Sequence, residues 1–252
     1  MYMNRVCAVC LFLVAAHDGW SQTPHSMEQQ LRMWTDFSGV LSNSDWVESR
    51  RILGRSGTEN NVPSGDRVSV AQLQHKAPGK AMSAFLRGMK FAAAADFQRA
   101  ARDFARAVTI DPDYSDAHAN LGVMYINLAL PDQAAVEFRR AIQLDPAASS
   151  HHANLALALI LLHLPREAER EAQTAVDLDH VNTKARYLLG FLLASHPETR
   201  GKAAEHLQYA ARQLPDAHLI LSEMYRMEGE NALAQSEQEQ YRKAILESVI
   251  AP

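Results

Sequence analysis

Two stretches of this chain carry nearly the same wording. Residues 104–122 read FARAVTIDPDYSDAHANLG and residues 138–156 read FRRAIQLDPAASSHHANLA, an offset of 34 positions. Each runs Phe, Ala three residues on, Asp-Pro, then His-Ala-Asn-Leu. A fixed period of this length confines the fold to stacked copies of one supersecondary unit, because a single copy cannot bury its apolar face alone.

With Pro112 as the register mark, Gly88, Phe91, Ala100, Phe104, Ala107 and Pro112 return 34 residues later as Gly122, Tyr125, Ala134, Phe138, Ala141 and Pro146. One further step gives Ala156, Leu159, Ala168, Ala172, Ala175 and His180, where small and apolar types persist and the closing proline does not. A fourth copy, with one extra residue in its middle, shows Leu189, Gly190, Leu193, Ala203, Leu207, Ala210 and Pro215. A fifth and looser copy shows Leu221, Tyr225, Gly229 and Ala234.

This pattern resembles the tetratricopeptide repeat (TPR) family, whose unit is a pair of antiparallel helices. The resemblance implies an all-α fold, a right-handed superhelical solenoid of antiparallel helix pairs with about four to five repeats. The repeats fall near 81–114, 115–148, 149–182, 183–217 and 218–250, inside a repeat region 79–252. The residue types fit on their own terms. Small residues at Gly88, Gly122 and Ala156 let paired helices approach to about 8–10 Å. Ala100 and Ala134 then sit at the crossing, and Phe104 and Phe138 reach into the next pair. Asp-Pro at 111–112 and 145–146 stops each second helix, because proline cannot continue one. Pro131 and Pro165 open second helices, where a missing N–H costs nothing. The last stretch keeps Tyr241, Ile245 and Val249 on one side against Ser, Glu and Gln on the other, as a terminal capping helix needs.

Residues 1–21 carry a different signal. MYMNR is short and basic, VCAVCLFLVAA is apolar for eleven residues, and HDGWS turns polar and small. These are the three parts of a secretory signal peptide, with an apolar run well short of the about 20 residues that span a bilayer. Cleavage after Ser21 is expected, with Ala16 the second choice and a retained anchor the alternative, which makes the protein exported, periplasmic or secreted. It would also remove Cys7 and Cys10, the only cysteines, leaving no thiol for a disulfide, a nucleophile or a metal.

Residues 22–78 show no echo of the period. SMEQQLRMWTDF (26–37) has Ser26 as a candidate N-cap and Leu31, Trp34 and Phe37 on one side of a short helix. SDWVESRRIL is a second candidate helix, residues 54–65 read as a loop, and RVSVAQL alternates like a strand or an extended lead-in.

No catalytic constellation emerges. There is no glycine-rich phosphate loop, no Gly-x-Ser-x-Gly and no His-Glu-x-x-His. His118 and His152 share a repeat position, with His218 a third candidate, but successive helices hold such residues about 10 Å apart. Ligands of one zinc must lie within about 2 Å of the ion, so no metal site and no cofactor are expected. A net charge of −4 gives no general attraction to nucleic acid.

The candidate site is the inner wall of the array. The family resemblance implies that first-helix asparagines at the positions of Asn120 and Asn154 hydrogen-bond the backbone of an extended peptide, and an amide offers both donor and acceptor for that task. The same register places Met82, Phe85, Met89, Val123, Asn127, Leu157, Lys184, Tyr187 and Phe191 on this wall. With Phe85, Met89 and Leu157 where relatives that grip a C-terminal carboxylate carry Lys, Arg and Asn, such a clamp is disfavoured. The function expected is a non-enzymatic peptide- or protein-binding scaffold or adaptor of the cell envelope or secretion pathway. Two alternatives stand beside it. One is a self-associating module; the other is a catalytic or accessory protein using His25, Glu28, Asp36, Asp45 and Glu48. A wall filled by the chain's own N-terminal segment is also open.

Overall fold

The structure, a computed structural model, describes residues 76–250, with side chains to Glu247. The expected signal peptide, residues 1–21, and the elements expected in residues 22–75 lie outside the described residues. Ten α-helices account for the described chain, packed as consecutive pairs. The chain divides into two compact units, here 76–179 and 180–250.

The first unit holds α1 (Gly79–Ala93), α2 (Phe97–Ile110), α3 (Ser115–Asn127), α4 (Pro131–Leu144), α5 (Ser149–Leu161) and α6 (Pro165–Leu178). The second holds α7 (Thr183–Ala194), a 3-10 turn (Pro197–Thr199), α8 (Arg200–Ala211), α9 (Ala217–Met227) and α10 (Asn231–Ile250). The extra residue of the fourth copy is absorbed by the region of that 3-10 turn.

Local chemistry sets the ends. Asp96 caps α2 by accepting from the Arg99 N–H at 3.0 Å, and Asn182 caps α7 by accepting from Ala185 N–H at 2.9 Å. Pro131 and Pro165 open α4 and α6. Asp111 and Asp145 close α2 and α4, and each carboxylate accepts the N–H two residues on, at 3.3 Å. Between first and second helices the chain turns through a left-handed residue: Ala95 (φ 56°), Ala129 (φ 57°) and His163 (φ 58°), again 34 apart. The backbone closes each turn as a Schellman motif, with the N–H of Asp96, Leu130 and Leu164 bonded to the carbonyls of Phe91, Tyr125 and Leu159 at 2.9 Å.

The core follows the repeat register, with one refinement. Phe104 and Phe138 do not simply reach forward; each ring first lies on the glycine of its own pair. A Cβ built on Gly88 would stand 2.8 Å from Phe104 Cε1, and one on Gly122 would stand 2.6 Å from Phe138 Cε1. Phe104 then shares a buried cluster with Leu121 and Met124 of α3, the forward contact expected. In the third pair Ala156 faces this role with Ala172, both fully buried. In the fourth, Gly190 lies under Leu207, 2.7 Å from a built Cβ to Cγ. Large is matched to none, and small to small.

Candidate functional site

The first-helix face of the unit 76–179 is built from α1, α3 and α5, and its three helices are not alike. On α1, Met82 and Leu86 are 39% and 41% exposed, one helical turn apart. Phe85 turns inward, with its ring 5.4 Å from that of Phe104 and 5.0 Å from that of Tyr114. Tyr114 O–H donates to Met82 Sδ at 3.6 Å, and Met89 is buried in the cluster around Phe104. Phe85 and Met89, expected on the wall, therefore serve the core. Leu86 is the open apolar residue the register missed, although its spacing of four from Met82 was there to be read.

On α3, Asn120, Val123 and Asn127 form a half-buried stripe at spacings of three and four. Asn120 Nδ2 donates to the Asp116 carbonyl at 2.8 Å, and Asn127 Nδ2 donates to the Val123 carbonyl at 2.9 Å. Each amide is thereby fixed to its own helix while its Oδ1 and second N–H stay available. On α5 the equivalent positions are closed: Asn154 and Leu157 are each 5% exposed. In the unit 180–250, Lys184, Tyr187 and Phe191 are buried as well. Burial, with the Asp216 carboxylate adding to it, pushes the Tyr187 hydroxyl well above the ordinary phenol range.

Among solved structures, MamA (residue 41 to its end) from Desulfovibrio magneticus RS-1 resembles this chain over 70% of its length and 100% of its own, at 17% identity and a TM-score of 0.58. The Pseudomonas aeruginosa pilF structure matches over 65% of this chain and 76% of that one, at 20% identity and a TM-score of 0.58. YrrB, described as a TPR protein with an unusual peptide-binding site, matches over 64% and 84%, at 20% identity and a TM-score of 0.52. The fold is that of tetratricopeptide repeats. No protein-family model and no curated protein matches the sequence.

Within these tetratricopeptide pairs the histidines have a structural task. His118 Nδ1 meets Glu137 Oε2 at 2.7 Å, and its Nε2 meets the Pro112 carbonyl at 3.1 Å. His152 repeats both contacts, with Glu171 at 2.8 Å and Pro146 at 3.2 Å. Each ring thus bridges a carboxylate on the second helix and the carbonyl of the proline that follows the preceding helix pair. In the fourth pair Arg186 takes the place of the histidine. Its Nε donates to the His180 carbonyl at 2.5 Å, and its Nη1 meets His206 Nδ1 at 3.4 Å. His206 there occupies the acceptor's place, and a guanidinium offers no lone pair, so this ring accepts and is neutral. Burial lowers its pKa first and the Arg186 charge lowers it further, against a smaller rise from Glu205. In the fifth pair His218 Nδ1 meets Glu237 Oε2 at 2.6 Å. A basic side chain on the first helix thus meets a side chain on the second in four consecutive pairs. Among the described residues no group of three or more His, Cys, Asp or Glu side chains is placed to hold a metal ion. Among them, too, no helix is long and apolar enough to cross a membrane.

Proposed function

We propose that this chain is a non-enzymatic scaffold that binds an extended segment of a partner protein on the first-helix face, with Asn120, Val123 and Asn127 at its centre. The observation that carries the reading is the pair of amides on α3, each tethered by one N–H and left with a donor and an acceptor. Seven residues of helix separate them by about 10 Å, the length of about three residues of extended chain. Two amides at that distance reach the backbone of one strand-like segment, and Val123 between them takes an apolar side chain. The YrrB likeness adds a fold precedent for peptide binding.

The test is a selection of peptides on the full chain, followed by titration of the Asn120→Ala/Asn127→Ala double variant. Loss of two hydrogen bonds is expected to weaken binding about tenfold, the equivalent of about 1.4 kcal/mol. Equal affinity of both proteins would remove the amides from the site. The basic-apolar-polar order of residues 1–21 supports an exported protein acting in the cell envelope or secretion pathway; N-terminal sequencing of the protein recovered from fractionated cells tests this, and an intact Met1 in the cytoplasmic fraction contradicts it. Self-association is the second reading, favoured by the exposed Met82 and Leu86 on α1. A mass that rises with concentration in sedimentation, and falls back with Leu86→Glu, would establish it.

A further inference from the structure

We propose that the outer face of α2, α4 and α6 is a second docking surface, and that it takes an acidic segment of a partner protein with an aliphatic side chain set among its carboxylates. The surface lies on the second helices, so the inference goes beyond the first-helix reading above and does not depend on it. The starting observation is the position two residues after the crossing alanine. Four of the five copies place a polar side chain there: Arg102, Arg170, Glu205 and Ser236. The second copy places Val136, which is 61% exposed.

The charges around Val136 are of one sign. Each second helix of the unit 76–179 presents three exposed or half-buried positions, repeated at offsets of 34. They hold Arg102 and Arg106 on α2, Val136, Arg139 and Arg140 on α4, and Arg170 on α6. The other three are Ala, Gln and Thr, and none is acidic. Arg140 is paired with Asp113 at 3.0 Å. Among the described residues Arg102, Arg106, Arg139 and Arg170 have no carboxylate at ion-pair distance. A chain of net charge −4 thus carries a cationic face, which favours an anionic partner.

The relief of the surface narrows the choice of anion. Pro112, Val136, Arg139, Arg140 and Gln143 line a groove of about 440 Å³, within the size range of ligand sites. The one carboxylate in its lining, Glu137, is held by His118 at 2.7 Å. An aliphatic side chain entering beside Val136 leaves water, and guanidinium groups around it bind carboxylates through paired N–H donors. A nucleic-acid backbone would satisfy the arginines but leave Val136 without an apolar partner. Carboxylates flanking an aliphatic residue satisfy both, and that combination belongs to a protein segment.

The test titrates the peptide Glu-Glu-Leu-Glu-Glu, blocked at both ends, into the full isotope-labelled chain at low salt and follows the backbone amides by NMR. Saturable shifts are expected within 102–109, 136–143 and 170–174, weakening as salt rises. Val136→Asp changes an exposed side chain and should weaken binding about tenfold, as should serine in place of the probe's leucine. Arg106→Glu/Arg139→Glu should abolish binding. The absence of saturable shifts, shifts confined to α1 and α3, or equal affinity for the serine probe would overturn the proposal. So would tighter binding of an oligonucleotide of equal charge. A sedimentation mass that falls in Arg106→Glu/Arg139→Glu would make a second copy the occupant, which also overturns it. Asn120→Ala/Asn127→Ala should leave these shifts unchanged, so the two surfaces stand or fall separately.

Discussion

Gly122 lies directly beneath the ring of Phe138, so close that a built Cβ would stand 2.6 Å from Cε1. Gly122→Ala should therefore destabilise the chain by about 1–3 kcal/mol through overpacking, although alanine is the better helix former. Urea unfolding gives the measurement. Phe138→Leu in the same chain should recover part of the loss, because Gly190 already accommodates Leu207 in this arrangement.

Ala129 sits at φ 57°, where Gly229 serves the fifth pair at φ 80°. A side chain in the left-handed region costs about 1–2 kcal/mol, partly offset by the greater unfolded-state entropy of glycine. Ala129→Gly is expected to stabilise the protein by about 0.5–1 kcal/mol. Thermal unfolding of that variant beside wild type decides it, and a lower midpoint would mean the turn carries no strain.

The contact of His118 with Glu137 ties α3 to α4, and its second bond reaches the Pro112 carbonyl. His118→Ala should cost about 1.5–3 kcal/mol, the range for hydrogen bonds to charged groups in a largely buried setting. A double-mutant cycle with Glu137→Ala isolates the pair. Zero coupling energy would show that the ring is held by packing alone.

His206 gives a pH dependence with a definite sign. Its folded-state pKa lies below the ordinary imidazole value of about 6.5, because burial and Arg186 disfavour the charged ring. As pH falls through that ordinary value the unfolded chain takes up a proton that the folded chain resists. Stability is then full above about 6.5 and declines below it, levelling once the folded ring is also protonated. His206→Gln keeps an acceptor for Arg186 and should flatten this part of the profile. Unfolding curves across the acid range, run for both proteins, measure the difference.

The helix pairs could be read directly from the period of 34, because Gly88, Gly122, Phe104 and Phe138 each state a size demand that only close helix packing meets. Helix ends were legible for the same reason: Pro131 and Pro165 can begin a helix but not sit within one. The clasps were not foreseen. His118 and His152 read as one repeated position without partners, since Glu137 and Glu171 lie 19 positions on and become neighbours only when the pair folds. The recurring His-to-Glu spacing at 118/137, 152/171 and 218/237 was the available signal. For the candidate site, periodicity marked a face but not its cover. It could not separate the half-open Asn120 from the closed Asn154, nor the open Met82 from Phe85, which turns toward Tyr114.

The matching of Gly122 to Phe138, and of Ala156 to Ala172, also works as an address. A chain of similar hairpins can dock the wrong helices on one another while it folds. If α5 took the place of α3 as the pair partner of α4, the Ala156 methyl would run into the Phe138 ring; if α3 took α6 as its pair partner, Gly122 opposite Ala172 would leave a hole. Volume thereby sets the Ala156/Ala172 pair apart from the two Gly/Phe pairs, and a repetitive sequence is barred from some of its wrong pairings.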